Sequence, residues 1–163
     1  YFQTKILWER PLVRVFGKKY LVPRLTAFIS NNGINYNYSG INHVGNGFPS
    51  WFLPLLFKVN DFTGANFNGC LLNFYRDGQD RMGWHSDNER VLDQVSPIAS
   101  LSLGISRDFA FKNNQSGYKV NLKLNDGDLL VMYPPCQHEW KHSLPSRKGI
   151  TSPRINLTFR KYN

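Results

Sequence analysis

Arg154-Ile155-Asn156-Leu157-Thr158-Phe159-Arg160 is the stretch that decides the fold. Successive side chains of an extended strand point to opposite faces. Arg154, Asn156, Thr158 and Arg160 therefore share one side, and Ile155, Leu157 and Phe159 the other. The apolar side has to meet a core or a packing helix. If the polar side met water, the segment would be a plain amphipathic edge strand. If it met the inside of a barrel, two guanidiniums would enter a cavity, which is too costly unless anions pair with them. A dicarboxylate co-substrate held by bidentate arginine contacts would supply those anions.

Upstream of this stretch the chain reads as strands from residue 69 on. Ala99, Leu101, Leu103 and Ile105 alternate with Ser100, Ser102 and Gly104 in the period of a half-buried strand, and Phe109 and Phe111 continue it. Val120, Leu122 and Leu124 alternate in the same way before Asn125-Asp126-Gly127 turns the chain. Leu129-Leu130-Val131-Met132-Tyr133 has the continuous apolar run of a central strand. Many short strands separated by turns indicate a sandwich, a barrel or a double-sheet jelly roll.

One helix stands out before them. Pro54 suits a first turn, Leu55, Leu56, Val59 and Phe62 fall on one face, and Gly64 suits the end. Further upstream, Val15-Phe16-Gly17-Lys18 reads as a hairpin tip among basic residues. A Phe there either folds back onto the core or stands exposed for a purpose. Tyr36 and Tyr38 share one face of an extended segment, as sheet packing or as a surface for stacking a base.

A length of 163 residues is that of one domain able to bury a real core. Twenty Lys and Arg against 11 Asp and Glu give a net charge of +9, which favours nucleic acid first and anionic membrane second, unless the protein is merely soluble and basic. Cys70 and Cys136 are too few for a disulfide scaffold and fit a reducing, intracellular setting. With no apolar run long enough to span a bilayer and no signal peptide, a membrane is not an expected partner.

Two metal signatures compete. In Trp84-His85-Ser86-Asp87 the imidazole and the carboxylate lie on one face of an extended segment, two thirds of a facial site for non-haem Fe(II). His138-Glu139-Trp140-Lys141-His142 has the literal zinc-protease pattern, which needs a helix to bring its histidines together. Pro134-Pro135 before it and Pro145 after it leave too short a segment, and residues 143 to 163 hold no third ligand. One histidine from this segment suffices for iron. His142, just before the strand that carries Arg154 and Arg160, is the better candidate, with His138 a surface residue.

The order Asn73-x-Tyr75, His85-x-Asp87, His142 and Arg154-x-Asn156-x-Thr158-Phe159-Arg160 resembles the AlkB family of Fe(II)- and 2-oxoglutarate-dependent dioxygenases, from about Val15 to Tyr162. The resemblance implies a mainly β fold with a flanking helix, a double-stranded β-helix or jelly roll. It also implies an N-terminal nucleotide-recognition lid. Residues 1–163 would form a single dioxygenase domain, with about 1–64 as lid and packing helix and about 65–163 as catalytic core.

His85, Asp87 and His142 would hold Fe(II). Asn73, Tyr75, Arg154, Asn156, Thr158 and Arg160 would hold 2-oxoglutarate, with Arg160 also toward the reacting base. Within the family the likeness is to duplex-DNA repair. Val15, Phe16, Gly17 and Lys18 match a hairpin whose aromatic residue replaces a flipped base, and Arg24, Tyr36, Tyr38, Ser39 and Gly40 match a substrate lid. Asn88 stands where that branch often has an acid, beside Glu89, and both would border the substrate.

The implied activity is oxidative demethylation of 1-methyladenine and 3-methylcytosine in DNA, using O2 and releasing formaldehyde, succinate and CO2. Double-stranded DNA with a flipped base is the expected partner of a monomer. Single-stranded DNA, RNA demethylation, or hydroxylation of a protein or small molecule on the same site are alternatives. The setting would be cytoplasmic in a bacterium and nuclear in a eukaryote.

Overall fold

A computed structural model describes residues 1–15, 17–38 and 41–163. Phe16, Ser39 and Gly40, together with the side chains of Val13, Arg14, Val15, Tyr38 and Ile41, lie outside the described residues. After a short helix α1 (Phe2–Lys5), two hairpins flank a longer strand: β1 (Leu12–Val15) with β2 (Lys18–Leu21), then β3 (Leu25–Ser30), then β4 (Asn35–Tyr38) with β5 (Ile41–Val44). Gly17 sits at the tip of the first hairpin with φ +78°, a conformation that favours glycine.

Helix α2 (Leu53–Thr63) follows, with Pro54 in its first turn and Gly64 closing it in the left-handed conformation. Its packing face is shorter than the sequence pattern indicates. Leu56 and Val59 are buried, whereas Phe62 in the last turn is 76% exposed and stands off the core.

The rest of the chain supplies β6 (Gly69–Tyr75), β7 (Met82–His85), β8 (Ile98–Gly104), β9 (Arg107–Asn113), β10 (Lys119–Leu124) and β11 (Leu129–Met132). A one-turn helix α3 (Cys136–Glu139), β12 (Trp140–Leu144) and β13 (Arg154–Arg160) complete it. The strands form two antiparallel sheets, a five-stranded one in the order β11-β8-β13-β6-β3 and a four-stranded one in the order β10-β9-β12-β7. This double-sheet arrangement is a jelly roll.

β13 is central in the larger sheet, and all seven of its residues are buried. Ile155, Leu157 and Phe159 pack with Phe52, Leu56, Val59 and Phe67 in the core around α2. The polar residues take the other face, between the sheets. Asn156 is paired with Asn73 on one side and Ser102 on the other, and Thr158 with Leu71 and Ser100. Directly opposed residues share a face, so the serines of β8 turn inward as well. Ser100 and Ser102, at 3% and 1% exposure, are therefore buried more deeply than Leu101 and Leu103.

The apolar run 129–133 is not central: β11 is an edge strand. It is apolar throughout because both its faces are covered, Leu129 and Val131 by the α2 core and Leu130 by a cluster of Tyr75, Phe109, Leu124 and Leu144.

The loops at one end are tied by Arg107, which is 1% exposed and donates to the carbonyls of Asp77, Asp80 and Pro145 at 2.8–2.9 Å. Gly78 lies so close beneath residue 147 that a Cβ would overlap the Arg147 carbonyl. No helix among the described residues is long and apolar enough to cross a membrane.

Truncating the apolar side of β13 should leave a cavity in this core. Leu157→Ala is expected to cost about 2–5 kcal/mol, and Phe62→Ala no more than about 0.5 kcal/mol, read as urea midpoints at constant slope. Equal shifts would contradict the packing described.

Candidate active site

β7 ends at His85, and Asp87 follows two residues later. β12 runs antiparallel to β7 and sets His142 directly opposite His85, with ring centroids 4.2 Å apart. The zinc-protease pattern is thereby split: His138 is exposed on α3, while His142 sits on β12 at 4% exposure. The donor atoms of His85, Asp87 and His142 lie within 4.8 Å of one another. Two nitrogens and one carboxylate oxygen from an open-sided cluster suit a 2-His-1-carboxylate iron site.

The protonation states suit it too. His85 Nδ1 lies 2.8 Å from the Gly83 carbonyl, which can only accept, so Nδ1 carries a proton and Nε2 is the nitrogen turned to the cluster, 3.7 Å from Asp87 Oδ1. Burial pushes the His142 imidazolium down to about 4, with Asp87 opposing and His85 reinforcing that shift, so the ring is neutral at pH 7. It stacks on Phe109 at 5.3 Å and 20°. Burial acts to raise the Asp87 carboxyl, but Arg160 and the two histidines outweigh it and hold the group below the usual carboxylate range. The Asp87 backbone N–H donates to Gln137 Oε1 at 2.8 Å, which fixes the main chain where β7 has ended.

A pocket between the sheets runs from this cluster along Asn73, Tyr75, Ser100, Asn156 and Thr158. The two arginines of β13 differ in place and in partners: Arg160 lines the pocket, whereas Arg154 lies against Tyr75 of its wall. Arg160 pairs with Asp87 at 2.8 Å. Arg154, 1% exposed, donates to Ser102 Oγ at 2.8 Å and lies 5.6 Å from the Tyr75 ring, but forms no ion pair with an acid among the described residues. Its Nε is buried without a partner, and burial lowers the group to about 10.

A buried guanidinium with no acid calls for an anion from outside the chain. A metal cluster in the pocket and an acid-free guanidinium against Tyr75 of its wall suit Fe(II) and a carboxylate-bearing co-substrate. The pairing separates the two arginines, a point open in the sequence: Arg160 holds the Asp87 carboxylate, and Arg154 has no acid among the described residues.

The structure gives several residues surroundings other than those expected. Tyr36 is wholly buried, its ring against Phe28, His43 and Tyr162, so it offers no face to a base. Its hydroxyl donates to Glu89 Oε1 and accepts from Arg160 NH1, both at 2.9 Å. Arg24 is 4% exposed and donates to Asn73 Oδ1 at 2.6 Å, making it a support for a pocket residue rather than a surface contact.

Lys18 and Asn88 are exposed, and neither lines the pocket. The readings of Phe16, Ser39 and Gly40, and of the Val15 and Tyr38 side chains, fall outside the described residues. Ser102, Gln137 and Phe109 also shape the site. Only the serine had a signal, its parity with the inward face of β13.

Comparison with known proteins agrees with this geometry. The profile of the 2OG-Fe(II) oxygenase superfamily matches residues 5–160. The DNA oxidative demethylase ALKBH2 of Bos taurus is 44% identical over 161 residues, covering 91% of this chain and 56% of that protein. Its Homo sapiens counterpart is 43% identical, with 91% and 60% covered. The alpha-ketoglutarate-dependent dioxygenase alkB homolog 3 of Mus musculus is 38% identical over 154 residues, with 86% and 52% covered. The chain thus spans a little over half the length of these relatives. The solved structure of OsALKBH1 superposes with a TM-score of 0.60 at 17% identity, covering 86% of this chain and 78% of that one, and supports the fold.

His142→Ala is expected to abolish stoichiometric Fe(II) or Co(II) binding in an anaerobic titration, whereas His138→Ala should bind as wild type does. Loss in the His138 variant instead would assign the third ligand to α3. The superfamily match takes in all but seven of 163 residues, including every donor of the metal cluster, and the chain belongs to the 2OG-Fe(II) oxygenase superfamily, in its AlkB-like family.

Proposed function

We propose that this chain is the catalytic domain of a DNA oxidative demethylase, a direct-reversal repair enzyme for N-methylated bases such as 3-methylcytosine and 1-methyladenine. The observation that carries the chemistry is the His-Asp-His donor cluster in a polar pocket, with a buried arginine that has no acid set against the pocket residue Tyr75. The substrate class is supported by the 43–44% identity to proteins named DNA oxidative demethylases and by the net charge of +9.

The chemistry available when Fe(II) and 2-oxoglutarate are bound is oxidation of an N-methyl carbon by O2, with formaldehyde, succinate and CO2 as products. The chain's part is to hold and exclude. His85, Asp87 and His142 would take the metal, and Arg154 with Ser102 the far carboxylate. Met82, Phe109 and Leu144 line the pocket and keep water from the reacting end.

On the substrate side, flipping a base costs ~ a few kcal/mol, least for a lesion that already pairs poorly. A Phe16 wedge at the β1–β2 tip would offset part of that cost by filling the vacated stack. Lys18, Lys19 and Lys148 are exposed and suited to phosphates, and so would make binding salt-sensitive. Arg147 is tied to Asp108 at 2.6 Å and is less available. Glu89 Oε2 is buried with no partner, an acceptor suited to a cationic methylated ring.

Formaldehyde release from 3-methylcytosine duplex DNA tests the reading, and is expected only when 2-oxoglutarate is present. An iron-loaded protein inactive on this substrate would overturn it, and a clear preference for methylated RNA would move the assignment to that polymer. Phe16→Ala should lower turnover on duplex roughly 5- to 150-fold, by losing a stacking contact worth ~1–3 kcal/mol, and leave single-stranded turnover largely intact.

A further inference from the structure

The Arg160 fork is held on two sides. NH2 donates to Asp87 Oδ1 at 2.8 Å, and NH1 to the Tyr36 hydroxyl at 2.9 Å. That hydroxyl in turn donates to Glu89 Oε1 at 2.9 Å. The directions are forced: a guanidinium only donates and a carboxylate only accepts, so the phenol must take one bond and give the other. Burial pushes the Tyr36 phenol far up, so its proton stays in place. Three bonds thus join Glu89 to the metal carboxylate through β4 and β13.

We propose that Tyr36 and Glu89 are positioning residues of the metal centre, which lock the Arg160 fork so that Asp87 offers the metal one oxygen rather than two. A facial triad works because positions stay open for co-substrate and O2. A carboxylate chelating through both oxygens would take one of them. Arg160 bonds Oδ1, which also lies 3.7 Å from His85 Nε2, and this turns Oδ2 toward His142 Nε2 at 3.9 Å. The Arg160 Nε is buried without a partner, so beyond Asp87 the fork is fixed by the Tyr36 hydroxyl, with Tyr162 beside it. Outer partners of this kind commonly set metal affinity.

The inference rests on the metal reading and not on nucleic acid, so its test needs no substrate. Co(II) is titrated into the full chain and into Tyr36→Phe, Glu89→Gln and Glu89→Ala, and followed by calorimetry and by the ligand-field spectrum. Melting of the metal-free proteins is measured in parallel.

Tyr36→Phe and Glu89→Ala are expected to weaken Co(II) binding by ~10-fold or more and to alter the spectrum. Glu89→Gln keeps an acceptor for the phenol and should stay within ~3-fold of wild type. Wild-type affinity and spectrum in Tyr36→Phe would overturn the proposal, as would losses that merely follow the melting temperature. Should Tyr36→Phe not fold, the Glu89 pair decides: equal affinities for Gln and Ala would sink the idea, and retention in Gln alone would support it. Absence of formaldehyde release with this cobalt pattern intact would count against the DNA substrate only.

Discussion

With 3% of either side chain exposed, the 2.8 Å ion pair between Asp87 and Arg160 has no water to fall back on, and the site is built so that neither partner needs it. Taking both charges from water costs several kcal/mol per ion, recovered only when geometry is good and the remaining donors are met. Tyr36 meets one of those donors. The pair also crosses the molecule, because Arg160 ends the central strand of the larger sheet while Asp87 follows β7 of the smaller one. Metal donors borne by one sheet are thus oriented from the other.

Charge balance explains why the rest of the pocket is arranged as it is. Asp87 and Arg160 cancel, and His142 is neutral, so these groups bring little net charge to the metal end. A divalent cation alone would leave the pocket strongly positive, since Arg154 has no acid. A dianion alone would lack the cation that makes one of its ends worth burying. Together they bring no net charge, and each makes room for the other. Asn156, Ser100 and Thr158, joined by bonds of 2.7 and 2.9 Å, line the space between as a neutral polar wall.

Much of this was legible in the sequence wherever the signal was local. The alternation of residues 154–160, the His-x-Asp triplet and the prolines that break the His138–His142 segment each settle a question within a few residues. The rest depends on partners far apart in the chain. Arg24 meets Asn73 across 49 positions, and Arg160 meets Tyr36 across 124. Tyr36 carries the same local pattern whether it stacks on a base or closes a core, and only the placement of Phe28 and Tyr162 decides. β11 misleads for a related reason: an edge strand covered on both faces has the composition of a central one. Phe62 has helical spacing, but spacing does not say where the packing partner ends.

A buried Arg154 with no acid would tie the stability of the folded chain to an anionic ligand. A ligand that binds only the native state adds about 2.7 kcal/mol of stability at a hundredfold excess over its Kd. That is a sizeable share of the roughly 5–15 kcal/mol that keeps an ordinary domain folded. Since cells clear proteins by their unfolded fraction, the supply of a dicarboxylate would set how long this chain persists as well as how fast it works.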